Sequence, residues 1–244
     1  ETKHCIFEYI YFSRPDSTIF GHTVDKVRRK LGKNLSLEKP APKANVEDKK
    51  VVVISVPDSS NTAALGYVTE TIKSNPYVKL ELGLIRSHYI GRTFIQPGQD
   101  NREIKVKSKF NTVKSVLKDR IVVIVDDSIV RGTTMKQLVK LVKEAAPKEI
   151  HLRITSPPII SPCYYGMDFP SKSELIANQC DRDLEKIREY LDVNSVEYLS
   201  LEKLHDSVPQ GVNKHGENIS YCDACFSGNY PIPIEEIEKT AFEG

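Results

Sequence analysis

The sequence has no apolar run near the ~18–20 residues that a membrane-spanning helix needs, which argues against an integral membrane protein. It also lacks an excess of either charge. Its 35 Lys and Arg against 33 Asp and Glu leave a net charge of +2, so a large basic face for nucleic acid is not predicted. Collagen-like, coiled-coil and wholly disordered chains are excluded by composition, since 39% of the 244 residues are hydrophobic. A globular protein of one large or two modest domains remains.

The first residues lack the features of a secretory signal. Residues 1–4 contain neither the basic region nor the apolar region of a signal peptide, and residue 1 is Glu rather than Met. The chain opens at once into residues 5–12, which we predict to form a buried strand. A domain seldom begins so abruptly, so we expect a processed or truncated chain whose upstream residues are missing.

Short apolar runs alternate along the chain with segments of helical periodicity. The predicted strands are residues 51–56, 121–125 and 150–155, and predicted helices include residues 63–67 and 135–145. The unbroken run at 121–125 is typical of a central parallel strand that is buried on both faces. The alternation therefore predicts an α/β fold, with a central, mostly parallel sheet covered by helices on both faces.

Three polar segments are predicted to be connections. Residues 37–50 contain two prolines and are expected at the surface, and residues 96–109 are expected to form a mobile basic loop. Residues 206–220 lead into a Cys-x-x-Cys pair near the end of the chain.

Residues 126–134, Asp-Asp-Ser-Ile-Val-Arg-Gly-Thr-Thr, contain the strongest chemical signal. A loop between a parallel strand and a helix lies at the carboxyl edge of the sheet, where open α/β folds bind ligands. Gly132 allows close approach of the backbone to a ligand, and N–H groups at the helix start favour a phosphate. The two carboxylates can accept hydrogen bonds from a vicinal diol or hold a hydrated Mg²⁺. The segment predicts a sugar phosphate ligand; the alternative is a helix N-cap beside a chance Asp pair.

The five cysteines do not indicate a secreted disulfide scaffold, because their number is odd and a signal peptide is missing. Cys222 and Cys225 form a Cys-x-x-Cys pair in a stretch that reads as a loop. One such pair is half of a metal site, and a redox pair or two unrelated thiols are equally compatible with the spacing.

Residues 122–134, VVIVDDSIVRGTT, resemble the signature with which type I phosphoribosyltransferases bind phosphoribosyl pyrophosphate (PRPP). The form DDSIVRGTT is similar to that of the amidophosphoribosyltransferase family. Further segments resemble the same family: residues 5–17 (CIFEYIYFSRPDS), 56–60 (VPDSS), 83–97 (GLIRSHYIGRTFIQP) and 156–168 (SPPIISPCYYGMD). The resemblance covers nearly the whole chain and implies the type I phosphoribosyltransferase fold.

The resemblance implies a role for each motif. Asp126 and Asp127 are expected to bind the ribose hydroxyls and Mg²⁺, and Ser59 is expected to add a metal contact. The turn at 57–60 is expected to line the pyrophosphate site, since a tight loop after a strand offers N–H groups to an anion. Taken alone, it would be an ordinary Pro-Asp turn. The residues expected to bind PRPP are Asp58, Ser59, Ser60, Asp126, Asp127, Ser128, Ile129, Val130, Arg131, Gly132, Thr133 and Thr134.

Residues 83–109 resemble the loop that closes over PRPP in this family. Closure would exclude water from a labile sugar cation, and basic side chains would meet the negative charges of the substrate. The resemblance assigns a catalytic role here to Arg86, Tyr89, Arg92 and Lys109, and Lys107 adds to the basic character. Each of these bases, taken alone, would be an ordinary surface charge.

Some members of the family carry a [4Fe–4S] cluster on four cysteines. Four cysteines stand at the corresponding places: Cys5, Cys163, Cys222 and Cys225. A structural Zn²⁺ in a Cys₄ site is the alternative, since spacing does not separate the two metals. Cys180 matches no ligand position. We expect a phosphoribosyltransferase domain at residues 1–205 and a C-terminal extension with cluster ligands at residues 206–244.

The implied reaction is displacement of pyrophosphate from C1 of PRPP by ammonia, which gives 5-phosphoribosylamine in the first step of purine synthesis. The family's glutaminase domain, which releases ammonia from glutamine, has no counterpart in these residues, so we expect it as a partner in cis or in trans. Feedback inhibition by purine nucleotides and a homo-oligomer are also implied, whereas no nucleic acid or membrane partner is expected. A cytoplasmic or a plastid location fits.

Two other functions are compatible with the Asp126-Asp127 motif. A PRPP-binding regulatory protein would keep the motif without the chemistry, and we expect such a protein to carry a DNA-binding helix-turn-helix. A nucleobase phosphoribosyltransferase would need a hood that recognises the base, whereas residues 5–50 match the amidophosphoribosyltransferase family instead.

Overall fold

The computed structural model describes most of the chain, namely residues 2–43, 51–87, 109–167, 169–212, 216 and 218–234. The strands are β1 (His4–Cys5), β2 (Thr18–Ile19), β3 (His22–Thr23), β4 (Val51–Ser55), β5 (Val78–Leu80), β6 (Leu84–Arg86), β7 (Phe110–Thr112), β8 (Ile121–Asp126), β9 (Glu149–Ile154), β10 (Ser195–Tyr198) and β11 (Tyr221–Cys222). The helices are α1 (Val24–Glu38), α2 (Asn61–Thr71), α3 (Lys114–Leu117), α4 (Thr133–Lys143), α5 (Ile176–Gln179), α6 (Leu184–Leu191), α7 (Leu201–Ser207) and α8 (Ala224–Ser227). A π-helical turn covers Glu8–Phe12 and a 3₁₀ turn covers Lys172–Glu174.

The central sheet has five parallel strands in the order β10-β9-β8-β4-β5. Strand β8 lies in the middle, and residues 121–125 are all buried. Its β-branched side chains suit a strand that packs on both faces. The predicted strands at 51–56, 121–125 and 150–155 are therefore confirmed, and so is a mostly parallel sheet.

Alternate residues of these strands face two separate cores. Val51, Val53 and Val123 pack with α1 and α2 on one face of the sheet. Ile54 and Ile124 pack with α4 and α6 on the other. Because side chains alternate along a strand, one apolar run supplies both cores. Helices cover both faces, as predicted, and none within the described ranges is long and apolar enough to cross a membrane.

Helices α1 and α2 touch backbone to backbone. A Cβ on Gly32 would lie 1.9 Å from the carbonyl oxygen of Ala63, and a Cβ on Gly66 would lie 2.1 Å from that of Arg29. Any side chain at either position would collide with backbone of the facing helix. This contact holds the start of α2, and with it the turn at 57–60, against α1.

The prediction of a strand over residues 5–12 is wrong beyond Cys5. Only His4 and Cys5 are extended, where β1 pairs in parallel with β11, and Glu8–Phe12 form a π-helical turn. Burial was the correct part of that prediction, because residues 6, 7, 9 and 10 are all buried. The ring of Phe7 stacks on Phe226 with centroids 5.8 Å apart. Contacts with distant parts of the chain, rather than a ladder, therefore hold this apolar segment.

The first of the predicted connections is partly regular structure. Residues 37 and 38 belong to α1, and the backbone carbonyl of Lys39 accepts hydrogen bonds from Tyr67 and Arg153. The start of the predicted surface connection is thus fastened to the protein, whereas residues 44–50 lie outside the described residues. The predicted mobile loop at 96–109 also lies outside them, apart from Lys109.

Candidate active site

Two loops meet at the carboxyl edge of the central sheet. Residues 56–60 follow β4, and residues 126–134 begin at the last residue of β8. These parallel strands are neighbours. The backbone N–H of Val56 donates to the carbonyl of Val125 at 3.0 Å, so the strand ends stay in register. Sequence segments some 70 residues apart therefore face one another, as the carboxyl-edge argument predicts.

A cavity of about 700 Å³ opens between these loops. Of the residues predicted to bind PRPP or act on it, the cavity is lined by Asp58, Ser59, Arg86, Lys109, Asp126, Asp127, Ser128, Ile129, Val130, Arg131, Gly132, Thr133 and Thr134. Ser60 lies behind them, fully buried, and donates its hydroxyl to Asp126. Tyr89, Arg92 and Lys107 lie outside the described residues.

The two adjacent aspartates are held by hydroxyl donors. Asp126 Oδ1 accepts from Ser60 Oγ at 2.9 Å and from the Asp127 backbone N–H at 2.9 Å. Asp127 Oδ1 accepts from Ser128 Oγ at 2.7 Å. Burial raises the pKa of both carboxyls, and the negative charge of Asp127 raises that of Asp126 further. Such a pair favours a cation or hydroxyl donors between its oxygens.

The loop before α4 has the geometry of an anion site. Gly132 has φ of +74°, which a residue with a side chain rarely adopts, and it immediately precedes the first residue of α4. A Cβ at this position would also lie 2.4 Å from Ile176 Cδ1. The loop thus carries backbone N–H groups and hydroxyls to the positive end of an eleven-residue helix. Arg131 also lines the cavity, with its Nε atom 3.1 Å from Glu174 Oε1.

The turn at 57–60 is held from two sides. Arg86 Nη1 lies 3.0 Å from Asp58 Oδ2 in an exposed ion pair. On the inner side, Arg28 Nη1 donates to the carbonyl of Ser59 at 3.4 Å. The Pro57–Asp58 peptide bond is cis. Arg86 therefore stands at the cavity with Asp58 as its partner.

Sequence reasoning missed two features of this site. The first is an aromatic wall of the cavity, formed by Phe7, Tyr11, Phe12 and Phe169. The assignment of residues 5–12 to a strand hid it. The second is Arg28, which is buried within α1. Its position among Val24, Val27 and Leu31 on the apolar stripe of the helix was the available signal, because a charged side chain on such a stripe needs a specific partner.

The cysteines predicted as ligands converge on one place. Strand pairing sets Cys5 opposite Cys222, and Cys225 follows in α8. Burial raises the pKa of the Cys5, Cys222 and Cys225 thiols, and the charge of Cys163 raises all three further. Cys180 belongs to the core on the other face of the sheet. The predicted loop around the Cys-x-x-Cys pair is instead a junction between β11 and α8.

The surroundings of the Cys-x-x-Cys pair are fastened by Asp223, which lies between the two cysteines. Its Oδ2 lies 2.7 Å from His205 Nε2, and its Oδ1 accepts from Ser227 Oγ at 2.8 Å. Within the described ranges, no three His, Cys, Asp or Glu side chains are grouped as ligands of a single metal ion.

The fold is that of a type I phosphoribosyltransferase. Residues 43–155, which contain the turn at 57–60 and the loop at 126–134, match the family model described as a phosphoribosyl transferase domain. More specifically, the chain is similar over nearly its whole length to amidophosphoribosyltransferases, as the following comparisons show.

The chain is 47% identical over 241 residues to the chloroplastic amidophosphoribosyltransferase of Vigna aconitifolia, covering 99% of this chain and 46% of that protein. It is 47% identical over 236 residues to the amidophosphoribosyltransferase of Archaeoglobus fulgidus, covering 96% of this chain and 48% of that one. Among solved structures, it matches the glutamine PRPP amidotransferase from B. subtilis complexed with ADP and GMP, with a TM-score of 0.80 and 43% identity over 96% of this chain and 48% of that one. The chain thus spans about half the length of these relatives.

Proposed function

We propose that this chain forms 5-phosphoribosylamine and pyrophosphate from PRPP and ammonia, the first step of purine synthesis. The observation that carries the proposal is the meeting of the turn at 57–60 and the loop at 126–134 around one cavity of about 700 Å³. A diol-binding acid pair, a phosphate loop and an anion-binding turn are the three recognition elements that PRPP requires. The names of the relatives support the same reaction.

The residues act mainly by positioning the reactants. Asp126 and Asp127 accept hydrogen bonds from the ribose hydroxyls, and the N–H groups and hydroxyls of residues 128–134 bind the 5′-phosphate. The turn at 57–60 holds the pyrophosphate. Ammonia then forms a bond to C1 on the opposite face while the bond from C1 to the pyrophosphate oxygen breaks, and one proton is released from nitrogen. Positioning and charge stabilisation suffice for this step, since ammonia is a nucleophile in its neutral form.

Mg²⁺ is the metal that suits this site. Asp126 and Asp127 supply hard carboxylate oxygens, and Ser59 supplies a hydroxyl on the facing turn, which is the donor chemistry that Mg²⁺ prefers. The raised pKa values of the two carboxyls support a cation here, because its charge would favour their ionised forms. Bound Mg²⁺ would stabilise the charge of the departing pyrophosphate.

We further propose that Cys5, Cys163, Cys222 and Cys225 hold a [4Fe–4S] cluster. Their mutual charge effects support a shared site, and four thiolates are the donor set of such a cluster. A single Zn²⁺ needs four sulfurs at about 2.3 Å from one point. A structural Zn²⁺ on the same four thiolates is the alternative, and metal analysis separates the two. The cluster would join β1, the segment at 163 and the extension at 206–244.

Several partners follow from the proposed activity. A glutaminase domain, in cis or in trans, would supply ammonia. Purine nucleotides are proposed as feedback inhibitors, supported by the ADP and GMP bound in the B. subtilis structure. A homo-oligomer and a cytoplasmic or plastid location complete the proposal, and several plant relatives are named as chloroplastic.

An assay of pyrophosphate release by a polypeptide of residues 1–244 tests this function. We expect turnover of PRPP with ammonium and none with glutamine, because Cys5 is preceded by four residues and cannot act as an N-terminal nucleophile. The rate should rise with pH towards the pKa of ammonium, since only neutral ammonia attacks C1.

Purine bases serve as competing acceptors in the same assay. Turnover with a purine base but not with ammonium would show a nucleobase phosphoribosyltransferase instead. PRPP binding without turnover on any acceptor would show a regulatory protein. Glutamine-dependent release at the rate seen with ammonium would contradict the proposed source of nitrogen.

A further inference from the structure

Arg28 is a buried cation beside the candidate active site. Its side chain is 1% exposed, and three of its nitrogens donate to backbone carbonyls from different segments. Nε donates to Tyr9 at 2.8 Å, Nη2 to Ser13 at 2.7 Å, and Nη1 to Ser59 at 3.4 Å. The guanidinium therefore joins three backbone positions with one rigid group.

This arrangement is costly for the fold. Within the described ranges, Arg28 forms no direct ion pair with a carboxylate, and burial of an unpaired charge is unfavourable. Its charge acts on Asp127, which is buried nearby. An apolar residue at this position of α1 would be buried at a lower cost in free energy. We therefore infer that the role of the guanidinium is to bind the three carbonyls.

The three carbonyls belong to two walls of the cavity. Tyr9 and Ser13 lie in the segment that carries the aromatic wall, and Ser59 lies in the turn at 57–60. Tyr9 lies in the π-helical turn and Ser13 directly follows it, and both carbonyls accept hydrogen bonds from Arg28. The length of the guanidinium thus sets the separation between the aromatic wall and the turn.

We propose that Arg28 is a positioning residue that holds the turn at 57–60 in the shape that binds the pyrophosphate half of PRPP. This inference rests on the proposed function. It predicts a selective effect, since the loop at 128–134, which would bind the 5′-phosphate, receives no hydrogen bond from Arg28 among the contacts described.

Arg28→Lys is the informative substitution. Lysine keeps the charge, but its compact ammonium cannot reproduce the planar fork that reaches three carbonyls. We expect the affinity for pyrophosphate with Mg²⁺ to fall about 10-fold, as for the loss of one hydrogen bond to a charged group, and the affinity for ribose 5-phosphate to stay within about twofold. The corresponding kinetic effect is a higher KM for PRPP.

Arg153→Lys is the matched control. Arg153 is also buried, and it donates to the carbonyls of Lys39, Leu152 and Pro40, away from the cavity. This variant should bind both ligands as the unsubstituted protein does. If Arg28→Lys loses affinity equally for both ligands, or loses affinity for neither, the positioning role is overturned. Failure of the unsubstituted protein to bind either ligand would instead reject the proposed function.

A measurement on the unsubstituted protein covers the case in which Arg28→Lys does not fold. The Nη–H resonance of Arg28 should shift when pyrophosphate and Mg²⁺ are added, because Nη1 donates to the carbonyl of Ser59 in the turn that binds the ligand, and should stay in place with ribose 5-phosphate. An unchanged resonance with saturating pyrophosphate would equally reject the proposal.

Discussion

Replacing Asp126 by Asn should lower kcat/KM for PRPP by about 10- to 100-fold, the equivalent of one charge-assisted contact of about 1.5–3 kcal/mol. Asparagine keeps the size of the side chain but removes the charge that would hold ribose hydroxyls and Mg²⁺. Asp127→Asn should have a similar kinetic effect. Steady-state kinetics with varied PRPP and Mg²⁺ measure both.

The same substitution should stabilise the protein in the absence of ligand. Burial and the charge of Asp127 raise the pKa of Asp126 well above its usual 3.8, so the native state binds this proton more tightly than the unfolded chain. The stability contribution of this carboxyl therefore falls as pH rises through its folded pKa, and at neutral pH the ionised form is unfavourable. Asn removes that penalty. The melting temperature should rise by about 2–4 °C for each kcal/mol gained.

Asp192→Asn is the control for both effects. Asp192 is exposed, pairs with Lys143 and has φ of +56°, a conformation that Asn adopts readily. Its pKa is lowered by the Lys143 side chain, so its removal cannot stabilise the protein by the same route. Unchanged kinetics in both Asp126→Asn and Asp127→Asn would contradict the role assigned to the acid pair.

Replacing Cys225 by Ser should abolish the proposed iron–sulfur cluster. Anaerobically purified protein is expected to be brown and to hold about four irons per chain, whereas the variant should be colourless. Cys225 is buried and its thiol has a raised pKa, so a metal is needed to hold it as the thiolate. Iron analysis and visible absorbance measure the result without an activity assay.

Cys180→Ser provides the matched control for the cluster. Cys180 is also buried but belongs to the opposite core, so its removal should leave the iron content unchanged. One tightly bound zinc in colourless, unsubstituted protein would reject iron and keep the same four ligands. Iron retained in full by Cys225→Ser would show that the ligand set is wrong.

The sequence by itself determined three strands of the central sheet and the loops at its carboxyl edge. The runs at 51–56 and 121–125 are apolar at every or nearly every position, a pattern typical of strands buried on both faces. The strands set the position of the loops that follow them, because neighbouring parallel strands end at the same edge of the sheet. The acid pair and the phosphate loop could therefore be placed from local pattern alone.

Only the tertiary structure decided the conformation of residues 5–12 and the partners of Arg28 and Cys5. Residues 5–12 have the composition of a strand, yet Phe226 and the guanidinium of Arg28 hold them after Cys5 in a π-helical turn. Arg28 became part of the site because the carbonyl of Ser59, 31 residues away, lies within its reach. The pairing of β1 with β11 likewise brings Cys5 to Cys222 across more than 200 residues. Such contacts depend on how the chain closes on itself, and no local propensity encodes the partner of a buried charge or thiol.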